Sequence, residues 1–346
     1  MYRVQSVRGH KDVLHPAGGG RPVNRRRLFA VLFVVSLLVS SPGFVIRSAA
    51  EVVPVYDGTG SSVGTPLSSP MGIFFDRSRN ECYVADSGNN QIVVFDASGL
   101  PIYRFFHYVE SARDRAPVRG EPRSLVVTGD GTIFIVDAMA PYIDVTDPRG
   151  RSLHHIELPS DGCGAVERFE SLALDAQGAV YAVTACSPPR VAVITDAATV
   201  DHLITLQRPA SERVCVNGLA VDGAGRLCIS DPCGDHMVQI YLPDGSFVSS
   251  FGSHDTGFEN FSHSAGIAVM NSGDLWIVDT IRQVASRFTH EGRLLATVGG
   301  KGSQPGAFEY PSAVTTDGES RLFVLERKGN RYQCFRITEG DGTATH

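Results

Sequence analysis

The sequence lacks the short motifs that identify common catalytic sites. No GxSxG, HExxH, Walker or GxGxxG pattern stands in a suitable structural context, and nothing identifies a nucleophile. The 7 cysteines form no CxxC or CxxCH motif, so haem attachment and thioredoxin-like chemistry have no support. Helical periodicity is absent outside one N-terminal stretch. With 42% hydrophobic and 20% charged residues, the chain is neither a disordered tail nor a coiled coil.

Basic residues are scarce beyond the first 50 residues. Residues 1–50 contain 8 of the 31 Lys and Arg but one of the 37 Asp and Glu, which leaves the rest of the chain with a formal charge of −13. Such an acidic body repels phosphate backbones, and this argues against nucleic-acid binding. A length of 346 residues allows two or three domains, or one large β architecture.

One apolar stretch of the chain has the form of an export signal. Residues 24–50 begin with Asn24 and three consecutive arginines, which are followed by an apolar run and then by mostly small residues. This order predicts a signal peptide cleaved after Ala50, with Ser48 and Ala50 at the positions that need small side chains. The alternative is an uncleaved membrane anchor over residues 28–46. Both place the body of the chain outside the cytoplasm, either periplasmic or secreted.

The chain after residue 66 consists of six copies of one pattern. Each copy contains two apolar strands joined by a turn, and the second strand ends at a polar residue: Asp86, Asp137, Thr184, Asp231, Asp279 and Glu326. These residues are 51, 47, 47, 48 and 47 positions apart, and the copies begin near residues 70, 122, 169, 216, 264 and 310. Two further strands complete each copy. Units of this size must stack on their neighbours, which predicts an all-β, six-bladed β-propeller of four-stranded antiparallel blades.

The sixth copy ends before its fourth strand. Residues 51–56, EVVPVY, precede the first copy and read as the missing strand. We therefore expect a propeller over residues 51–346, closed by an N-terminal strand that completes the last blade, and a monomer.

Residues 70–99 contain P-x-G-I-x-x-D and then Y-V-A-D-S-x-N-x-x-I-x-V-F-D-x-x-G. This form resembles the NHL-repeat family of six-bladed propellers, and GLAVDGAGRLCISD and GIAVMNSGDLWIVD in copies four and five strengthen the resemblance. The family includes binding modules and a few enzymes, so the resemblance implies the fold and leaves the function open.

Cysteine positions resemble those of one NHL-type enzyme family, the peptidyl-hydroxyglycine amidating lyases. Those enzymes link a cysteine before an inner strand to another after the second strand, and the resemblance implies a Cys215–Cys233 disulfide. Cys163 and Cys186 bracket copy three in the same way, so we pair them as well. Cys82 and Cys228 are expected to be buried in strands, and Cys334 is left unassigned.

The lyases bind zinc through histidines just before the GI position of their inner strands. The corresponding residues here include no histidine: they are Met71, Arg123, Glu170, Asn217, Ala265 and Pro311. A lyase of that kind is therefore disfavoured. The gluconolactonase-like propellers hold a divalent cation with carboxylates and Asn amides, and Glu170 and Asn217 resemble part of that set. This resemblance implies Ca²⁺ or another divalent cation as an alternative cofactor.

Histidines and arginines offer two further candidate sites, in loops that we expect on one face of the propeller, the top face. Three histidines, His236, His254 and His263, could form a metal or acid–base site with Asp255 and Glu259. We favour the alternative, in which they are exposed loop residues that share no ligand. The long connection over residues 106–121 leads into Arg123 and carries Arg113, Arg115 and Arg119. These arginines either receive an anionic group or pair with their acidic neighbours Glu110, Asp114 and Glu121.

We therefore expect an exported, non-enzymatic propeller that binds a protein or an extended ligand on its top face, without a cofactor. The candidate contacts are Arg113, Arg115, Arg119, Arg123, Glu170 and Asn217. Membrane contact is expected only through an uncleaved N-terminal segment. The alternative is a metal-dependent hydrolase or lyase that uses Glu170 and Asn217.

Overall fold

A computed structural model describes most of the chain beyond residue 50. The described residues are 51–60, 64–111, 113, 115–159, 168–184, 186, 188–196, 198–207, 215–255, 257 and 259–338. The predicted signal peptide or anchor lies outside them. In the described residues, helix is limited to a 3-10 turn at Ser87–Asn89. None of these residues belongs to a helix long and apolar enough to cross a membrane.

Six four-stranded antiparallel sheets form the blades of a β-propeller, as predicted. We call the first strand of each copy, which faces the central channel, the inner strand. Blades one to three contain β2 (Gly72–Asp76), β3 (Glu81–Asp86), β4 (Gln91–Phe95), β5 (Pro101–Phe106); β8 (Pro122–Val127), β9 (Ile133–Asp137), β10 (Ile143–Thr146), β11 (Ser152–Ile156); and β12 (Phe169–Leu174), β13 (Val180–Thr184), β14 (Arg190–Ile194), β15 (His202–Thr205). Blades four to six contain β16 (Gly218–Val221), β17 (Leu227–Ser230), β18 (His236–Tyr241), β19 (Phe247–Ser253); β20 (Ser264–Val269), β21 (Leu275–Asp279), β22 (Val284–Phe288), β23 (Leu294–Gly299); and β24 (Pro311–Thr316), β25 (Arg321–Glu326), β26 (Arg331–Thr338), β1 (Glu51–Gly58).

The second strands are apolar on both faces because each blade is covered by a neighbour on either side. All residues of β9 and β21 are buried, whereas the outermost strand β11 is mostly exposed. Each pair of adjacent blades shares one hydrophobic core; for example, Phe134 of blade two packs in the same cluster as Leu172 of blade three. Continuous apolar runs of four to six residues therefore mark strands buried on both sides.

The two ends of the chain share blade six, which confirms the predicted closure. Strand β1 pairs antiparallel with β26, with Val52 opposite Ile337 and Asp57 opposite Gln333. The inner strands of blades six and one also contact each other. Phe323 of blade six stacks on Phe75 of blade one, with ring centroids 4.6 Å apart. The ring is thus closed by hydrogen bonds and apolar packing.

The long connection between blades one and two forms a β-hairpin that the sequence did not predict. Its strands are β6 (Tyr108–Glu110) and β7 (Pro117–Arg119). Val109 and Val118 point inward and pack against Ala140 and Tyr142 of blade two. The hairpin is therefore anchored by a small core of its own.

Candidate functional site

The inner strands enclose a central channel with a cavity of about 1000 Å³. The inner strands all begin at one end of the channel, and we call this end the mouth. Each blade contributes one residue to it: Met71, Arg123, Glu170, Asn217, Ala265 and Ser312. For blade six the sequence predicted Pro311 at this position, and that prediction is wrong by one residue. Pro311 pairs with Glu326 as Pro122 pairs with Asp137 in blade two, where the mouth residue is the next one, Arg123. The equivalent residue of blade six is therefore Ser312. The sequence alignment starts the sixth copy at Tyr310, one residue before the structural repeat begins.

Glu170 lies between two arginines at the mouth. Arg168 Nε is 2.7 Å from Glu170 Oε1, and Arg123 Nη1 is 3.4 Å from Glu170 Oε2. The Glu170 side chain is 18% exposed, and those of Arg123 and Arg168 are 35% and 43% exposed. Both carboxylate oxygens therefore face cations, and the three groups together carry one excess positive charge. Sequence analysis missed Arg168, which lies just before β12 begins at Phe169.

Asn217 and His263 meet next to Glu170 along the mouth, because the inner strands of blades three and four are neighbours. Asn217 Nδ2 donates to the Ser264 carbonyl at 3.2 Å and lies 3.4 Å from His263 Nε2. In the described part of the chain, the amide oxygen of Asn217 accepts no hydrogen bond. This side of the mouth thus offers an uncharged acceptor beside an imidazole.

Blade six adds a third arginine at the mouth. Arg327 and Tyr310 line the cavity, and the Arg327 backbone N–H donates to the Tyr310 carbonyl at 2.9 Å. The Arg327 guanidinium has no hydrogen bond or ion pair with any described residue. The Ser312 hydroxyl is buried, also without a partner in the described ranges. Arg327 follows the closing glutamate in a turn, and the repeat alignment gives no reason to single it out.

The glycines of the GI motif serve strand packing. A Cβ on Gly72 would lie 2.5 Å from the Arg123 carbonyl oxygen, and one on Gly266 would lie 2.7 Å from Ala313 Cα. These distances are too short for any side chain. Glycine therefore allows neighbouring inner strands to approach closely, which is a structural role.

The arginines of the hairpin do not line the channel. Arg115 Nη1 is 3.6 Å from Glu110 Oε2, and the Arg119 guanidinium lies 4.0 Å from the centre of the Phe106 ring. Arg113 is exposed. Asp114, one of the predicted partners, lies outside the described residues. The structure thus places Arg123 at the mouth and these three arginines on the hairpin.

His107 forms a buried charge cluster that sequence analysis missed. Its Nδ1 is 2.8 Å from Asp137 Oδ2 and its Nε2 is 3.1 Å from Asp144 Oδ2, with 2% of the residue exposed. Burial acts to lower the pKa of His107, but the hydrogen bonds and charges of the two carboxylates outweigh it and raise the pKa above its usual value. The cluster joins the base of the hairpin to blade two. Only the fold brings these residues together.

The acidic residues that close the second strands organise the loops around the mouth. Asp279 accepts hydrogen bonds from the backbone N–H groups of Ser262, Ile281 and Arg282, at 2.6, 3.0 and 2.9 Å. Its carboxylate therefore holds both the following turn, as predicted, and the loop before the inner strand. Glu326 is equally buried and accepts from Glu309 N–H and Arg331 Nε, both at 2.7 Å. Burial raises the pKa of Glu326 more than these contacts lower it.

No metal-ligand cluster is formed by the described residues. They contain no group of three His, Cys, Asp or Glu side chains close enough to hold an ion. His236 and His254 are exposed, and of the three predicted histidines only His263 lines the cavity. Glu170 and His263, the side chains of these types next to Asn217 at the mouth, therefore belong to no cluster of three among the described residues.

The Cys215–Cys233 disulfide is formed, as predicted. Asp231 Oδ1 accepts the backbone N–H groups of both cysteines, at 3.1 and 3.0 Å. Cys186 is buried, but Cys163 lies outside the described residues, so their pairing stays a prediction. Among the cysteines that the structure describes, Cys82, Cys228 and Cys334 are free and buried. Burial raises the pKa of Cys228 to about 12 and that of Cys334 to about 11, so neither thiol is reactive near neutral pH.

Comparison with known proteins identifies the fold. No protein-family profile and no curated protein matches the chain, so membership of the NHL-repeat family stays a prediction. Among solved structures, the chain is similar to virginiamycin B lyase from Staphylococcus aureus, with 14% identity, 77% of this chain and 80% of that chain covered, and a TM-score of 0.54. It is also similar to a gluconolactonase from Xanthomonas campestris, with 13% identity, coverages of 84% and 99%, and a TM-score of 0.56. A third similar structure is regucalcin, a calcium-binding protein from Agrobacterium tumefaciens, with 14% identity, coverages of 80% and 92%, and a TM-score of 0.54. At 13–14% identity these likenesses support the β-propeller fold of the chain, whose six blades are given by its own sheets.

Proposed function

We propose that the chain is an exported, non-enzymatic binding module that receives a protein or an extended ligand at the mouth of its channel. The observation that carries the proposal is the state of Glu170, the one carboxylate among the six mouth residues, which is engaged by Arg123 and Arg168. A divalent cation needs several oxygen ligands. Met71 and Ala265 supply none from their side chains, and Arg123 would repel the ion.

The extracytoplasmic location is part of this proposal. It is supported by the basic and apolar order of residues 24–50 and by the Cys215–Cys233 disulfide, since disulfides persist in oxidising compartments. Mass spectrometry of the exported protein should find an N-terminus near Glu51. A full-length species retained in the membrane would favour the anchor over residues 28–46.

The second candidate is a divalent-metal hydrolase or lyase that uses Glu170 and Asn217. It is supported by the similarity to gluconolactonase and virginiamycin B lyase structures. In this case both arginines must release Glu170 before the carboxylate can bind a metal.

An activity assay separates the two candidates. The mature protein, beginning at Glu51, is incubated with gluconolactone or quinupristin in the presence of Ca²⁺, Mn²⁺, Mg²⁺ or Zn²⁺. The control is the Glu170→Gln, Asn217→Ala double variant, checked for an unchanged melting temperature. A binding module gives no turnover above the control. Metal-dependent turnover that the double variant loses would overturn the proposal.

A further inference from the structure

We infer that the mouth binds an oxyanion, either a carboxylate or a phosphate carried by an extended ligand, between Arg123 and Arg327. This inference rests on the proposed binding function and names the chemical class of the ligand. Arg123 and Arg327 both line the cavity. They belong to blades two and six, which flank blade one because the inner strands of blades six and one contact each other. Blade one contributes the uncharged Met71, so the two arginines belong to the blades on either side of a neutral mouth residue.

The hydrogen-bonding capacity of both arginines is largely unused. Arg123 contacts Glu170 through Nη1 alone, and 3.4 Å is long for a hydrogen bond. Its other guanidinium nitrogens, and the whole Arg327 guanidinium, donate to no residue in the described ranges. A planar guanidinium with open donors matches the oxygens of a carboxylate or phosphate.

The charge balance favours an anion at this position. Arg123 and Arg168 share the single carboxylate of Glu170, which leaves one excess positive charge there, and Arg327 adds a second. The chain beyond residue 50 has a formal charge of −13. A positive mouth on an acidic body concentrates an anion at the channel and repels it elsewhere.

The opposite side of the mouth indicates how the remainder of the ligand lies. Asn217 and His263 line the cavity there, and the half-buried Phe74 of an inner strand lines it as well. The ligand we infer is therefore an extended molecule whose anionic end lies at the two arginines.

Titration of the mature protein with four eight-carbon probes tests the inference. The probes are octanoate, octyl phosphate, octylamine and octanol, measured by calorimetry at low ionic strength. We expect octanoate, octyl phosphate or both to bind with one site per chain, and the tighter of the two identifies the oxyanion. Octylamine and octanol should bind more weakly. Binding of octylamine or octanol as tight as that of the anions would overturn the inference.

Charge-matched variants locate the site. Arg123→Gln and Arg327→Gln should each weaken anion binding about tenfold, which corresponds to about 1.4 kcal/mol. Arg115→Gln removes the same charge from a side chain that is 87% exposed on the hairpin and should leave binding unchanged. Equal effects of all three variants would show non-specific attraction and contradict the site. Arg327 is exposed and structurally unconstrained, so its variant decides the question even if Arg123→Gln lowers the melting temperature.

Different results would overturn the oxyanion site and the binding function. A metal-free, inactive protein that binds neither anion overturns the oxyanion site alone. A protein with metal-dependent turnover overturns the proposed function as well.

Discussion

Val52 of the N-terminal strand lies opposite Ile337 of the C-terminal strand, and both pack on the core between blades five and six. Strand β1 therefore supplies the outermost strand of the last blade. Deleting residues 51–58 should lower the free energy of unfolding by several kcal/mol, because β26 then becomes an exposed edge and the ring loses its closure. Deleting residues 340–346 should be nearly neutral. Urea denaturation of both truncated proteins checks this, and equal losses of stability would contradict the closure.

A matched pair of substitutions tests the same strand without truncation. Val52 is half-buried against the core, whereas Val55 is 49% exposed. Val52→Ala should cost about 1 kcal/mol of unfolding free energy, and Val55→Ala should cost clearly less.

Asp279→Ala tests the closing acidic residues. The substitution leaves the backbone N–H groups of Ser262, Ile281 and Arg282 without their acceptor, and we expect a loss of about 3 kcal/mol in unfolding free energy. Glu259→Ala, an exposed acidic residue of the preceding loop, is the control and should be neutral. Similar melting temperatures for the two variants would show that the carboxylate does not organise the loops.

The sequence predicts the blades well because burial on two faces leaves a regular trace. Each second strand is a continuous apolar run, and the polar residue that ends it marks the repeat. The hairpin escapes prediction because its two three-residue strands, Tyr108–Glu110 and Pro117–Arg119, belong to no repeat.

The site is only partly readable from the sequence. Repeat alignment places Arg123, Glu170 and Asn217 at the mouth. It does not encode contacts that depend on side-chain direction and on the neighbouring blade, such as that of Asn217 with His263. Arg327 also remained unidentified, because a turn arginine after a closing glutamate resembles any surface arginine.

Removing the Cys215–Cys233 disulfide should destabilise the protein. The bridge spans 18 residues, so a Cys215→Ser, Cys233→Ser double variant should lose about 3 kcal/mol in the chain-entropy picture. Non-reducing peptide mapping should recover this pair in the wild-type protein and, as we predict, Cys163 with Cys186. Reductant should then destabilise the double variant further. Recovery of Cys163 joined to Cys215 would contradict both pairings.

His107 should make stability depend on pH. Its pKa is raised in the folded state, so its contribution is complete below the unfolded value of about 6.5 and is lost as pH rises through the folded pKa. We expect His107→Gln to lower the free energy of unfolding most at acidic pH. The variant should also lack the loss of stability that His107 causes in the wild-type protein as the pH rises. Urea unfolding of both proteins across the pH range measures the difference. The wild-type protein alone does not isolate His107, because burial and the charge of Arg226 lower the pKa of His290. His290 therefore makes stability fall as the pH falls, and the difference between wild type and His107→Gln cancels this contribution. A stability difference independent of pH would show that His107 is not charged in the folded protein.

Metal content tests most directly whether the mouth works through guanidinium groups or through a cation. The mature protein is purified without chelators from medium containing Ca²⁺, Mn²⁺ and Zn²⁺, alongside a Glu170→Gln variant, and each is analysed by inductively coupled plasma mass spectrometry. Because Arg123 and Arg168 engage Glu170, we predict far less than one ion per chain in both proteins. One ion per wild-type chain that is lost in Glu170→Gln would contradict the binding function proposed for the mouth.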